Sequence, residues 1–285
     1  MLTLMACNSQ KNKSNNIRNT EKMETKAALS NKEKAIALLA SLETGDQTPV
    51  SYINPNKYIQ HNLAVGDGLE GFGAILQNAP EEGFKAKVVR AYQDGDYVFT
   101  HTIYDFFGLK TGFDVFRFEN GKIVEHWDNL IEKMPPNPSG HTQTDGPTQS
   151  KDLNQTEVNK ALVKDFISTI LMQGEMSKIG DFIQEGKENY IQHNPQIGDG
   201  LSGLGQALEG MAKQGITMEY KTVHKVLGEG NFVLTISEGT FAEKSTSYYD
   251  LFRIENGKIV EHWDVMETIL PKSEWKNDNG KFNFK

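Results

Sequence analysis

At 285 residues the chain has room for two domains of common size, and 37% hydrophobic with 24% charged residues describes a soluble globular protein. No apolar run is long enough to span a bilayer, and a formal charge of -8 with a pI near 5.5 and no Lys/Arg-rich stripe argues against nucleic acid as a partner. The lone cysteine, Cys7, excludes an internal disulfide and a cysteine-built metal cluster.

In chain order, residues 1–29 read as a leader-like start and a tether. Leu4-Met5-Ala6-Cys7 resembles the lipobox of bacterial lipoproteins, in which the cysteine is lipidated. A tract of Asn, Ser, Lys and Gln follows to about Thr20, with the composition of a solvated tether. Only five residues precede Ala6, so the basic and apolar regions of a signal peptide are almost missing. The expected location is the bacterial cell envelope, with a lipid at Cys7 the one link to the membrane; the alternative is cytoplasmic, if the match is accidental.

The first domain is expected over 30–134. Asn31 is placed as the cap of a helix whose apolar stripe is Ala35, Leu38, Leu39 and Leu42 and whose end is Gly45. A shorter helix with Leu69, Phe72, Leu76 and Ala79 opens after Gly66-Asp67-Gly68. Lys87 to Tyr92 and Tyr97 to Phe106 flank Asp94-Gly95 as a hairpin, and a last hairpin turns at Asn120-Gly121, the pair that supplies positive φ twice in a type I′ turn. Residues 135–153, opening Pro135-Pro136-Asn137-Pro138, are too poor in apolar side chains for a core and read as a linker.

The second domain, 154–285, repeats the first. Tyr58-Ile59-Gln60-His61-Asn62 recurs as Tyr190-Ile191-Gln192-His193-Asn194, and Gly66-Asp67-Gly68-Leu69 as Gly198-Asp199-Gly200-Leu201. Glu119 through Asp128 reappears unchanged as Glu255 through Asp264. Three blocks in one order point to internal duplication. Leu162, Phe166, Ile170 and Met172 match the first helical stripe, ending at Gly174, and Leu201, Leu204, Leu208 and Met211 match the second. Val223 to Leu227 and Phe232 to Ser237 form the matching hairpin, and Asn256-Gly257 the matching turn.

Helices followed by antiparallel strands define an α+β class with a curved sheet wrapped around helices. The repeated blocks, with Asp-x-Phe-Arg-x-Glu-Asn-Gly-Lys-Ile-Val-Glu-His-Trp-Asp at the end of each copy, resemble the SnoaL-like family of polyketide cyclase relatives. The resemblance implies two tandem cone-shaped α+β barrels of the nuclear transport factor 2-like kind. Because such barrels pair through their sheets, it also implies that the first domain packs on the second as an intrachain pseudo-dimer.

Counting back from Asn120-Gly121 pairs Glu119 with Lys122, Phe116 with Glu125 and Asp114 with Trp127. Asp114 then shares an apolar face with Phe116, Phe118, Ile123 and Trp127, while Arg117, His126 and Asp128 point the other way. A β-bulge would change this register and bring Asp114 back to Arg117. A carboxylate in an apolar pocket has its charged form disfavoured and can exchange a proton near neutral pH. In the resembling cyclases an aspartate at this strand position is the general acid/base, which assigns Asp114 and Asp250. His61 and His193 match a family histidine near the pocket, and His101 a pocket histidine that Ile236 replaces in the second copy. Trp127 and Trp263 would supply an aromatic wall beside Phe116 and Phe252, and Tyr58 and Tyr190 a polar edge.

The competing readings are structural: an ion pair for Asp114, backbone-bonded core histidines for His61 and His193, core tryptophans, and structural or surface roles for His126, His262, Asp128 and Asp264. His126-x-Asp128 offers two metal ligands without a third, so no metal is expected, and no cofactor motif is present. The two functions left are a cofactor-free cyclase, isomerase or aldol-type enzyme acting on a small apolar carbonyl compound, and a non-catalytic module binding a small apolar ligand.

Overall fold

The computed structural model describes residues 28–78, 80, 81, 83–184, 186 and 189–284. Cys7, with its proposed lipid, and Ala79 lie outside the described residues. Among the described residues no helix is long and apolar enough to cross a membrane.

Helix α1 spans Asn31–Thr44 and is capped by Ser30, one residue before the expected Asn31. Glu33 explains the choice: its amide donates to Ser30 Oγ at 3.2 Å, and its carboxylate accepts from the Ser30 amide at 2.7 Å, a reciprocal capping box. Gly45, with φ 70°, closes the helix in the left-handed region. Strand β1 (Ile59–Gln60) and helix α2 (Gly68–Gln77) follow, then β2 (Lys85–Asp94), β3 (Tyr97–Asp105), β4 (Leu109–Glu119) and β5 (Lys122–Glu132). The second half has helices α3 (Thr156–Phe166), α4 (Ile179–Phe182) and α5 (Gly200–Lys213). Its strands are β6 (Ile191–Gln192), β7 (Met218–Glu229), β8 (Phe232–Phe241), β9 (Lys244–Glu255) and β10 (Lys258–Thr268). A π-helical stretch, Ile167–Met172, prolongs α3 towards Gly174.

The protein is thus α+β, with two five-stranded sheets of the same order, β1-β5-β4-β3-β2 and β6-β10-β9-β8-β7. In each, a two-residue strand lies parallel to the last long one and the other pairings are antiparallel. Asn120 and Gly121 take φ 50° and 71°, and Asn256 and Gly257 51° and 71°, as the type I′ turn requires.

The register beyond those turns corrects the expected one. Glu119 pairs with Lys122 and Phe118 with Ile123, but Arg117 pairs with Glu125, leaving Val124 as an extra residue in β5. Beyond the bulge every β5 side chain changes face relative to a regular hairpin, so Asp114 lies opposite Asp128, Phe116 opposite His126, and Trp127 opposite Val115. The bulge recurs between Ile259 and Glu261. It leaves Asp114 and Arg117 on opposite faces and instead brings His126 and Asp128 to the aspartate.

Each sheet buries both faces. The inner face of the first packs Val98, Tyr104, Phe116, Phe118 and Ile123 against Ala35, Leu38 and Leu39 of α1. The outer faces of the two sheets form one apolar cluster, with Phe99, Phe113, Val115 and Trp127 from the first half and Phe232, Leu234, Leu251 and Trp263 from the second. Tyr92 stacks on Phe232 at 4.6 Å, and Asn129 Nδ2 donates to the carbonyls of Ser247 and Val265 at 2.9 and 3.1 Å.

Candidate functional site

The inner face of the first sheet carries a polar cluster at the bottom of an apolar cavity of about 630 Å³. Leu38, Leu39, Phe72, Ile75, Phe84 and Phe106 contribute to the walls, and Asp114, His126 and Asp128 reach the space from β4 and β5. Asp114 is 3% exposed, Asp128 5% and His126 9%. Glu267, from the last strand of the second half, also lines the cavity.

Asp114 is held on both oxygens. Tyr104 donates to Oδ2 at 2.6 Å and Thr100 at 3.1 Å, while His126 Nε2 lies 3.3 Å from Oδ1. The other ring nitrogen, His126 Nδ1, faces Gln60 Oε1 at 3.1 Å; that oxygen also accepts from the Asn62 amide, so Nδ1 is the donor. Phe116 stacks on the imidazole at 4.7 Å. Asp128 is different: Asn62 Nδ2 donates to Oδ2 at 2.8 Å, and Oδ1 is buried without a hydrogen-bond partner. Burial pushes the Asp128 carboxyl above the ordinary carboxylate range; the charges of His126 and Lys281 oppose that shift, and those of Glu267 and Asp114 add to it. Burial also raises the Tyr58 hydroxyl, with Asp128 and Asp114 adding to the effect, so this cavity-lining residue is a neutral phenol at ordinary pH.

Asp114, His126 and Asp128 each offer a ligand atom within 4.8 Å of the others, so the bulge supplies the third ligand that His126-x-Asp128 lacks in sequence. In charge they suit a divalent cation. The occupied oxygens of Asp114 and the one free oxygen of Asp128 suit proton transfer better.

The second half repeats the cluster with changed surroundings. His262 Nε2 lies 3.0 Å from Asp250 Oδ1, Asn194 donates to Asp264 at 2.7 Å, and Asp264 Oδ1 is again buried without a partner. Burial raises the Asp264 carboxyl. Burial also depresses the His262 imidazole, but its hydrogen bond to Asp250 and the charges of Asp264 and Asp250 outweigh that, so its net shift is upward. The phenol on Asp250 comes from Tyr220 of β7, 3.2 Å from each oxygen, whereas Tyr104 belongs to β3.

Of the residues expected at a site, Asp114, Phe116 and Tyr58 meet at the cavity, and Asp250, Phe252 and Tyr190 lie on the matching face of the second half. His61, His193, His101, Trp127 and Trp263 do not join them. The bulge turns both tryptophans to the outer face, where they are fully buried between the sheets and form no wall to the cavity. His61 and His193 stack on them at 4.5 Å and reach Glu125 and Glu261 at 3.0 and 2.8 Å. His101 pairs with Phe113 in the ladder, contacts Arg90 and Thr111, and is depressed by burial and by the Arg90 and His193 charges. Thr100 takes the inward position instead.

His126 and Asp128, read as structural or surface groups, are central to the cavity, and Tyr104, Gln60, Asn62 and Glu267 were missed. A signal for four of them lies in the repeats: Gln60 with His126 and Asn62 with Asp128 recur as Gln192 with His262 and Asn194 with Asp264, each pair in contact.

No protein-family model matches the chain, and no curated protein matches it in sequence. Its fold is similar to solved structures. They include IdmH, a candidate polyketide cyclase from Streptomyces antibioticus, at 19% identity and TM-score 0.31, covering 36% of this chain and 92% of that one. A candidate SnoaL-like polyketide cyclase from a Jannaschia species matches at 15% and 0.30, covering 35% and 84%. An LEH-like epoxide hydrolase from M. tuberculosis matches at 19% and 0.31, covering 35% and 82%. Each likeness is one of fold over about a third of the chain, and the chemistry of the cavity rests on its own geometry.

Proposed function

We propose that the protein is a tandem of two SnoaL-like units, and that the first is a cofactor-free enzyme transferring protons on a small, largely apolar carbonyl compound by isomerisation, cyclisation or aldol-type bond formation. One observation carries this reading: a buried carboxyl, Asp128, with a raised pKa and an unpartnered oxygen at an apolar cavity. Asp128, not Asp114, is the general base. Its Oδ1 takes a proton from the carbon beside the substrate carbonyl, the electron pair moves to the carbonyl oxygen, and the Tyr58 hydroxyl donates to the enolate so formed. The resulting carboxylic acid returns the proton to another carbon, or the enolate carbon attacks a second carbonyl, whose oxygen takes the displaced electron pair and then that proton, restoring the carboxylate. Asp114, fixed by Tyr104 and Thr100, positions His126 beside the reacting carboxyl. The second unit is a non-catalytic packing partner, a reading favoured by the stacked Tyr220 and Tyr248 beside Asp250. The Cys7 motif would place the whole on the bacterial envelope.

The test is deuterium uptake from solvent into the α-carbon of small apolar ketones such as 1-tetralone, followed by mass spectrometry. Asp128→Asn should slow uptake by roughly 10²- to 10⁴-fold, the contribution typical of a positioned acid or base, and Asp264→Asn should leave it unchanged. Uptake no faster than in buffer across a panel of such ketones, or equal in wild type and Asp128→Asn, would end the proposal.

A further inference from the structure

The segment after β5 does more than connect. Asn137 Nδ2 donates to the carbonyls of Gln192 and Ile197 at 2.6 and 2.9 Å, so the segment is strapped across the second half. It is also held from the first half, where Arg90 donates to the carbonyls of Thr144, Asp145 and Pro147. The C-terminal segment does the reciprocal thing: Asn277 Nδ2 donates to the carbonyls of Asn62 and Val65 in the first half. The straps share a pattern, Asn137-x-x-Gly140-His141 and Asn277-x-x-Gly280-Lys281, with left-handed glycines at φ 91° and 75°.

They differ in what they bring to the histidine beneath. Over His61 lies a backbone carbonyl, that of Gly280, 2.6 Å from Nδ1. Over His193 lie the Thr142 carbonyl and the Asp145 carboxylate, each 2.7 Å from Nδ1, with the His141 ring centred 5.4 Å from that of His193. His141, Asp145 and His193 each offer a ligand atom within 4.8 Å of the others.

The surroundings point beyond chance proximity. A metal-bound histidine characteristically gives its second nitrogen to a carboxylate, which fixes the ring and raises its basicity. Here both do so: His193 Nε2 lies 2.8 Å from Glu261, itself held by Arg253, and His141 Nε2 lies 3.1 Å from Asp199. His193 is buried, whereas the His141 and Asp145 side chains are 31% and 43% exposed, so an ion could enter from solvent and keep water in a fourth position. We propose that His141, Asp145 and His193 form a site for a zinc-class divalent ion. Two imidazoles and one carboxylate match the preference of zinc and its neighbours over magnesium or calcium. Drawing the three groups to metal-bond lengths of about 2.0–2.2 Å asks for a small closure of the exposed strap onto a fixed, buried histidine. The ion would staple the strap to the second half and, through Arg90, couple the two sheets.

The test is zinc binding by the full chain after chelator treatment, read by competition with a chromophoric chelator and by thermal unfolding. One saturable zinc per chain with a raised Tm is expected. His141→Ala and Asp145→Asn, both on the exposed strap, should each weaken binding at least tenfold, while Asp128→Asn should bind zinc as wild type does. The proposal is overturned by no saturable zinc, by unchanged affinity in both strap variants, or by loss of binding in Asp128→Asn, which would assign the ion to the cavity cluster.

Discussion

The inner faces of the two sheets hold the same Asp-His-Asp cluster in different rooms. Thr100 is paired with Asp114 and Thr235 with Asp250, which aligns Tyr104 with Gly239, Gly112 with Tyr248 and Ala86 with Tyr220. The first half has one tyrosine in this layer, on β3, pressed to its aspartate. The second half has two, on β7 and β9, stacked at 4.2 Å in the apolar core. The small residues are fixed by their neighbours: a Cβ on Gly239 would lie 1.8 Å from the Glu219 carbonyl, and one on Gly112 2.2 Å from the Leu130 side chain. Thr100 donates to Asp114, whereas the Thr235 hydroxyl is buried without a partner. The acid cluster travels with the repeated strand, and the space above it is set by residues outside the repeated blocks. In the proposed mechanism, proton transfer therefore depends on the cavity and the cluster together.

The outer faces, by contrast, each centre on a fully buried tryptophan stacked on a histidine, Trp127 on His61 and Trp263 on His193, and this gives the largest expected effect. Trp127→Ala and Trp263→Ala should each cost about 3–5 kcal/mol, the usual range for emptying a buried aromatic site, as measured by urea unfolding. A loss confined to one of them would show that only one of the two faces depends on its tryptophan. Next, Tyr248→Ala should open the second half at a cost of about 3 kcal/mol. It should also raise the number of 1-tetralone molecules bound per chain from one to two by calorimetry; unchanged stoichiometry would show that Tyr248 is not what closes the second room.

Much of this fold was legible in the sequence, and the reasons are local. Asn-Gly pairs define their turns, Gly45 and Gly174 stop helices, and alternation along β4 puts Asp114 and Phe116 on the inner face whatever its partner does. The composition of the site was not legible, because Lys122-Ile123-Val124-Glu125-His126-Trp127-Asp128 holds no glycine or proline to mark the extra residue at Val124. One unmarked bulge exchanged Trp127 for His126 and Asp128. Glu267 was out of reach for another reason: it enters the cavity from the other half of the chain, through contacts with the Leu130 amide and Lys281 that no local pattern encodes.

The smallest effect expected is the most direct test of the central claim. A carboxyl whose folded pKa is raised holds its proton more tightly when folded, so its contribution to stability is complete below the ordinary 3.8 and is lost as pH rises through the folded value. Asp128 should therefore titrate above 3.8 in a carboxyl-resolved carbon-13 NMR titration, and Asp128→Asn should gain stability relative to wild type over that same interval. An Asp128 midpoint at or below 3.8, with no change when 1-tetralone fills the cavity, would contradict the account.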